Sequence, residues 1–286
     1  MEETRKKEIK RVIAINDMSC FGKCSLTVAL PVISAFGVEA VPLPTAVLST
    51  HTGGFTGYTC LDMTDEMVKI IEHWKTIGFR CDGIYTGYFL NSRQADITAG
   101  FIDDFKNPGT KVIVDPVMGD NGKLYAGFDA GFVEDIKKLC KKAHVITPNV
   151  TEAMLLTGGE YREVFSREEI DRCADLLGGT GAKKAVITGV RINKDEIGYV
   201  CCDFESGDRF DIYYPYENMR LHGCGDVFAS ILCGELVKGA AFEESARAAA
   251  DFTEDCIIAT GRDIENHWYG LKFERLLENG SFRRGE

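Results

Sequence analysis

The chain has 286 residues, 45% of them hydrophobic, and a formal net charge of -11 at pH 7. This length and apolar content suffice to bury the core of one large α/β domain. The negative charge argues against general binding to nucleic-acid backbone or to anionic membrane surfaces, because both require a basic protein face.

Short apolar runs alternate with helix-like segments along most of the chain. Apolar runs at 12–15, 40–43, 83–85, 112–114, 144–146 and 185–187 predict buried strands, and the patterns at 63–77, 94–105, 132–140 and 168–177 predict helices between them. This alternation predicts a mainly parallel sheet covered by helices on both faces. In such a fold the functional site lies at the carboxyl ends of the strands.

Two segments depart from this alternation. Residues 50–59 are rich in glycine and predict a mobile flap that covers a site. His51 in this flap is either an exposed imidazole that meets a small ligand or an ordinary solvated histidine. Further on, residues 196–202 and 209–214 predict an antiparallel pair, followed by apolar helices that begin near Val227 and Phe242.

Acidic residues follow the strand at 112–114 across a turn. Asp115 comes at the end of the strand and Asp120 five residues later, in the run Asp115-Pro116-Val117-Met118-Gly119-Asp120. Carboxylates placed in this way can hold Mg²⁺ directly or through its water. An ordinary turn explains the same residues equally well.

A second polar motif, Thr147-Pro148-Asn149-Val150-Thr151-Glu152, follows the strand at 144–146. Asn149 and Glu152 have the spacing of a capping box, in which each side chain bonds the other residue's backbone N–H. Local structure alone therefore accounts for both residues. A metal–nucleotide site shared with Asp115 and Asp120 would account for all four residues together.

The run Gly223-Cys224-Gly225-Asp226 leads directly into an apolar helical segment. Free backbone N–H groups and the helix dipole favour an anion such as phosphate at such a helix start, and the two glycines would leave its approach clear of side chains. Asp226 could then accept a proton from an alcohol that attacks a bound phosphoryl group. The alternative is a glycine-rich turn in which Asp226 only caps the helix.

Other nucleotide-binding and catalytic motifs fail on their spacing. Near Gly22 and Lys23 a P-loop would need glycine in place of Asp17 and serine or threonine in place of Cys24, and residues 178–183 do not form G-x-G-x-x-G. The chain has no G-x-S-x-G serine, and its histidines lack metal-binding spacing.

The eleven cysteines include no CxxC pair, which predicts reduced thiols. Residues 1–11 lack the apolar stretch of a secretory signal, and no run approaches the ~20 apolar residues of a membrane span. We therefore expect a cytoplasmic protein.

The order of these motifs resembles the ribokinase-like superfamily of small-molecule kinases. The matching elements are an early strand followed by a polar loop, DPVMGD, TPNxxE and a late G-x-G-D. Residues 48–52 and Thr86-Gly87-Tyr88 are most similar to segments of the vitamin B6 kinases. The resemblance implies a three-layer α/β/α sandwich with a mainly parallel central sheet and a flap over the active site. It also implies a single kinase domain over 1–286, with 1–10 as a charged lead-in.

The resemblance also implies roles for particular residues. Asp226 would be the general base, and the backbone of Gly223, Cys224 and Gly225 would cradle the γ-phosphate of ATP. Asp115, Asn149, Glu152 and Thr188 would serve the nucleotide, and the Mg²⁺ ligands would be Asp115, Asp120 and Glu152. The substrate ring would be bound by Asp17, Ser19, His51, Thr52 and Tyr88.

Asp17 departs from the vitamin B6 kinase pattern. The segment Asn16-Asp17-Met18-Ser19 is closer to the S-D-x-S of hydroxymethylpyrimidine kinases. A carboxylate at this position favours a protonated pyridine or an amino-substituted ring. Alternatively, Asp17 points to solvent or caps the helix after Gly22.

The function implied by the resemblance is ATP-dependent phosphorylation of the hydroxymethyl group of pyridoxal, pyridoxamine or pyridoxine. The alternatives are a hydroxymethylpyrimidine kinase and a non-catalytic vitamin-binding protein on the same fold. The expected ligands are ATP, Mg²⁺ and the small-molecule substrate, and the requirement for a monovalent cation such as K⁺ stays open. The resemblance further implies a homodimer.

Overall fold

The structure is a computed structural model that describes residues 9–219, 221–278 and 280. The charged lead-in predicted at 1–10 therefore lies almost entirely outside the described residues. Within them, the strands are β1 Arg11–Phe21, β2 Glu39–Thr50, β3 Cys60–Asp62, β4 Gly83–Thr86, β5 Lys111–Val114, β6 Gly119–Asp120, β7 Lys123–Leu124, β8 Val145–Ile146, β9 Lys184–Val190, β10 Glu196–Asp203 and β11 Arg209–Pro215.

The helices lie between and after these strands. They are α1 Leu26–Ala35, α2 Thr64–Thr76, α3 Ser92–Phe105, α4 Ala130–Cys140, α5 Val150–Thr157, α6 Arg167–Gly178, α7 Cys224–Lys238, α8 Phe242–Gly261, α9 Ile264–His267 and α10 Glu274–Glu278. Among the described residues, no helix combines the length and the apolar character needed to cross a membrane.

One large sheet contains every strand except the β6–β7 hairpin, in the order β11-β10-β9-β8-β5-β4-β1-β2-β3. The strands from β9 through β2 pair in parallel. Antiparallel pairs add β10 and β11 at one edge and β3 at the other. The predicted mainly parallel sheet is confirmed, as is the antiparallel pair after residue 188.

Successive residues of β1 show how the sheet separates two cores. Ile13 and Ile15 face the cluster that packs under α2 to α6, whereas Val12 and Ala14 face the cluster under α1, α7 and α8. Side chains of a strand alternate between its faces, so an uninterrupted apolar run fills both cores. The helix-covered sheet predicted from these runs and the three-layer sandwich implied by the family resemblance are both confirmed.

The sequence prediction was wrong about the end of β1. A polar loop was expected after residue 15, but β1 continues to Phe21 beside β2, with an irregular register between Asn16 and Met18. Asn16, Asp17 and Ser19 are all nearly inaccessible to solvent. Their side chains find hydrogen-bond partners inside the protein, and so the strand can continue through these buried polar residues.

Candidate active site

Polar residues gather at the carboxyl ends of the parallel strands. Thr188 of β9 lies beside the loop after β8, since its backbone N–H donates to Pro148 at 2.9 Å and the strand bridges to Asn149. The other predicted residues at this edge are Asp17 on β1, Tyr88 after β4 and Asp115 after β5. The fold therefore brings residues far apart in sequence to the same edge of the sheet.

Helix α7 begins at this edge with Gly223 as its N-cap, and no described side chain caps it. The first N–H groups of a helix have no partner within the helix, so those of Cys224, Gly225 and Asp226 remain available. A side-chain carbon added at Gly225 would lie 3.7 Å from Oδ2 of Asp115, its nearest neighbour. An anion can therefore approach the backbone at Gly225 beside the Asp115 carboxylate.

Gly223 has a structural reason to be glycine. Its φ is 86°, and a side-chain carbon there would lie 2.3 Å from the backbone oxygen of Lys23. The sequence argument assigned both glycines to clearing a path for phosphate. At Gly223 the missing side chain instead allows the left-handed conformation and the close approach of Lys23.

Asp226 lies half-buried in the first turn of α7. Its Oδ1 is 3.4 Å from Nδ2 of Asn16 and 3.5 Å from the hydroxyl of Tyr85, both long hydrogen bonds, and the backbone N–H of Ser25 also donates to the carboxylate. Burial, which is the largest cause, and the charge of Asp17 together raise the pKa of Asp226 to about 6, although these hydrogen bonds lower it. A carboxylate with this pKa is suited to accept a proton near neutral pH.

Asp115 and Glu152 are buried near Asp226. Burial, followed by the charge of Asp226, raises the pKa of Asp115 well above its usual range. Burial and the charge of Asp115 do the same to the pKa of Glu152. Carboxylates this close together oppose one another's ionisation, and a cation placed among them would remove that cost.

Glu152 and Asn149 organise the loops around this acidic group. The oxygens of Glu152 accept from the backbone of Met118 at 3.2 Å and of Asn149 at 2.9 Å, and Asn149 accepts in return from the backbone of Glu152. The capping box proposed as the local alternative is therefore present. Nδ2 of Asn149 also donates to the backbone oxygen of Gly119 at 2.9 Å, which ties the loop after β5 to α5.

These residues fit a magnesium ion that takes most of its ligands from water and phosphate. The described residues contain no group of three or more acidic, histidine or cysteine side chains arranged to hold a metal ion. Asp120 is exposed on the β6–β7 hairpin and accepts from the backbone and side chain of Asn121, both at 2.8 Å. Mg²⁺ normally uses few protein carboxylates, and Asp115 is the one nearest the start of α7.

Asp17 lies at the register irregularity of β1, which turns its side chain towards the neighbouring loops. Its two oxygens accept from the hydroxyls of Ser19 at 2.8 Å and Ser25 at 2.5 Å. Asp17 is only 6% exposed and does not cap α1, so neither structural alternative for it is correct. Burial, followed by the charge of Asp17, raises the pKa of Tyr88 to about 12.

His51 differs from its prediction. It was expected to be exposed, but the ring is 4% exposed. Nδ1 accepts from the backbone of Gly53 at 3.1 Å, so Nε2 carries the proton and donates to the backbone oxygen of Tyr269 at 2.9 Å. Both nitrogens are occupied within the protein, and a ligand could contact only the ring surface. Thr52, the next residue, is exposed.

Aromatic residues hold the flap in place. Phe55 of the flap packs against His51, Trp268 and Phe21, with ring centroids 4.9, 4.6 and 5.8 Å apart. The ring of Tyr269 in turn packs against Phe21 at 4.9 Å. The sequence analysis missed this cluster, although the run His267-Trp268-Tyr269 was a visible signal.

Asn16 is a further residue that the sequence analysis did not assign to the site. Its Oδ1 accepts from the backbone N–H of Tyr88 at 2.7 Å and of Asp17 at 3.0 Å, while Nδ2 reaches Asp226. This side chain therefore joins β1, the loop after β4 and α7. An amide at the end of an apolar strand was the signal available in the sequence.

Comparison with known proteins agrees with this geometry. Residues 27–269 match the family described as phosphomethylpyrimidine kinase. The chain belongs to this family. Its relatives and its structural neighbours are small-molecule kinases, which confirms the kinase class and the resemblance to ribokinase-like proteins.

The proteins similar to this chain carry two kinds of name, phosphomethylpyrimidine kinase and pyridoxal kinase. A Bacteroides thetaiotaomicron protein, provisionally assigned as a phosphomethylpyrimidine kinase and crystallised with pyridoxal, is 36% identical, with a TM-score of 0.90 over 95% of this chain and 96% of its own. The pyridoxal kinase of Lactobacillus plantarum is 28% identical, with a TM-score of 0.86 over 94% and 96% of the two chains.

The hydroxymethylpyrimidine/phosphomethylpyrimidine kinase of Bacillus subtilis is 27% identical over 243 residues, which cover 82% of this chain and 85% of the relative. Both pyridoxal and hydroxymethylpyrimidine kinases are thus among the relatives of this chain. Membership in the family leaves the choice between these two substrates open.

Proposed function

We propose that this kinase uses ATP to phosphorylate the hydroxymethyl group of pyridoxal or a related B6 vitamer, with Asp226 as the general base. The observation that carries the proposal is the position of Asp226 in the first turn of the uncapped helix α7. One short segment thus supplies both a proton acceptor and free backbone donors for a phosphate group.

In this mechanism the backbone N–H groups of Cys224 and Gly225 bind the γ-phosphate, and Asp226 accepts the proton of the attacking hydroxyl. Asn16 and Tyr85 orient Asp226 through their hydrogen bonds. Mg²⁺ held by Asp115 would neutralise charge on the phosphates, with Asp120 at the rim of the site and Glu152 holding the surrounding loops. Phosphoryl transfer requires mainly alignment and charge neutralisation, which these groups supply.

The substrate proposal depends on Asp17. Its oxygens already accept two hydroxyl donors, and a carboxylate so placed binds a ligand group that donates a hydrogen bond, such as a protonated ring nitrogen. The pyridoxal complex of the 36% identical protein supports a pyridine ring in this pocket. Tyr88 lies beside Asp17 and would contact the same ring.

Hydroxymethylpyrimidine is the second candidate substrate. An amino-substituted pyrimidine also donates hydrogen bonds, and both the residues around Asp17 and the B. subtilis relative favour it. The non-catalytic alternative receives no support from relatives that are kinases. The single domain, the homodimer, the cytoplasmic location and the monovalent cation stay predictions.

Steady-state kinetics with Mg-ATP test the proposal. We expect phosphorylation of pyridoxal with a kcat/KM above that of hydroxymethylpyrimidine under the same conditions. A higher kcat/KM for the pyrimidine would overturn the substrate assignment. Failure to phosphorylate any of the three B6 vitamers or the pyrimidine would overturn the proposed function.

A further inference from the structure

Ser25 has a backbone conformation that a serine rarely adopts. Its φ is 59° and its ψ is -131°, which lies outside the left-handed helical region that other residues occasionally occupy. Asn121 is the only other described residue besides glycine with a positive φ. Glycine would adopt this conformation without steric strain, so a serine here requires a compensating contact.

The side chain of Ser25 makes such a contact. The residue is 6% exposed, and its hydroxyl donates to Oδ1 of Asp17 at 2.5 Å. Its backbone N–H favours the ionised form of Asp226 and so lowers the pKa of that carboxyl. The carbonyl of Ser25 begins α1, because it accepts from Val28 at 3.1 Å and Ala29 at 2.8 Å. The Ser25 hydroxyl is thus fixed against Asp17 by a residue that is itself fixed at the start of a helix.

Ser19 donates to the other oxygen of Asp17, so the carboxylate is held from both ends. A carboxylate fixed in this way recognises a ligand donor at lower entropic cost than a mobile one.

We propose that Ser25 is a positioning residue that sets the Asp17 carboxylate for the substrate ring. The inference rests on the proposed function, because it assigns Asp17 to the ring. Ser25 acts on the substrate through Asp17, so loss of the Ser25 hydroxyl should weaken binding of the substrate.

A double-mutant cycle in pyridoxal binding tests this role. Ser25→Ala and Ser25→Gly both remove the hydroxyl, and Ser25→Gly also removes the strain. We expect each variant to weaken equilibrium binding of pyridoxal about tenfold or more, because a hydrogen bond to a charged group is lost. In an Asp17→Ala background, Ser25→Ala should change the affinity less than twofold.

Ser245→Ala is the matched control. Ser245 is also a buried serine, and its hydroxyl donates to the backbone oxygen of Ala241 at 2.8 Å, in α8. We expect this variant to retain the wild-type affinity for pyridoxal even if its melting temperature falls. Wild-type affinity in Ser25→Gly, or an equal loss with and without Asp17, would overturn the inference.

Two further measurements distinguish a failure of this inference from a failure of the proposed function. A protein that binds pyridoxal without phosphorylating it would contradict the proposed function, and the binding cycle would still decide the role of Ser25. If the wild type binds no pyridoxal, the same cycle is measured by urea unfolding. Additive effects of Ser25→Ala and Asp17→Ala on the unfolding free energy would then overturn the coupling.

Discussion

Replacing Asp226 by asparagine should stabilise the ligand-free protein at pH 8 and change its stability little at pH 4. Burial raises the pKa of Asp226 from 3.8 to about 6. A shift of about two units corresponds to about 3 kcal/mol, since each unit is worth 1.36 kcal/mol. This is the cost of keeping the carboxylate ionised in the folded protein.

The effect of pH on the unfolding free energy depends on the protonation of Asp226 in both the folded and the unfolded chain. Below pH 3.8 the carboxyl group is protonated in both states, so burial carries no ionisation cost. As the pH rises from 3.8 to about 6, the carboxyl group ionises in the unfolded chain before it ionises in the folded protein, so the folded protein loses stability relative to the unfolded chain over this range. Asp226→Asn should therefore gain about 3 kcal/mol over the wild type at pH 8 and less than about 1 kcal/mol at pH 4.

Urea unfolding followed by circular dichroism at several pH values measures this difference. Asp96→Asn, on the exposed side of α3, controls for the loss of one surface charge. If the Asp226→Asn variant is no more stable than the wild type at pH 8, the ionised Asp226 carboxylate does not destabilise the folded protein as we infer. So would a gain of the same size at pH 4, because the benefit would then not come from ionisation.

Three further substitutions test other parts of the site. Gly223→Ala should lower the unfolding free energy by at least about 2 kcal/mol and reduce turnover, since the new carbon would lie 2.3 Å from the backbone oxygen of Lys23. Gly239→Ala is the control, because Gly239 also has a positive φ, 99°, but has open space around it. The control substitution should lower the unfolding free energy by only about 1 kcal/mol. Cys224→Ala should keep kcat within about threefold, because the anion site uses backbone donors; a loss beyond about tenfold would assign the thiol a role. Phe55→Ala should raise ATP hydrolysis in the absence of an alcohol several-fold, measured as ADP release, because the flap loses its aromatic contacts; an unchanged rate would argue against the flap as a barrier to water.

The apolar segments of the sequence predicted most of the sheet. Each predicted strand core overlaps an observed strand, because continuous apolar runs suit strands buried on both faces. The edge strand β3 was missed, since it has only three residues, all of them exposed, and so shows no alternating pattern. The extension of β1 was missed because its stability comes from buried polar contacts around Asn16 and Asp17, which a hydrophobic pattern does not reveal.

The parts of the candidate site that lie within one short motif could be predicted from the sequence. The helix start at Gly223 and the acidic residue Asp115 could be assigned from local sequence. The contacts of Ser25 and Tyr85 with Asp226 could not, because they join segments up to about 200 residues apart and depend on strand order. The burial of His51 likewise depends on the distant backbone of Tyr269.

In the proposed mechanism, Asp226 accepts the proton of the alcohol while the start of α7 holds the phosphate. Single-turnover phosphorylation of pyridoxal by wild type and Asp226→Asn, each saturated with Mg-ATP, separates these two roles. We expect a rate about 10²–10⁴-fold lower in the variant, with the nucleotide affinity kept within about threefold. A variant rate within tenfold of the wild type would contradict this mechanism.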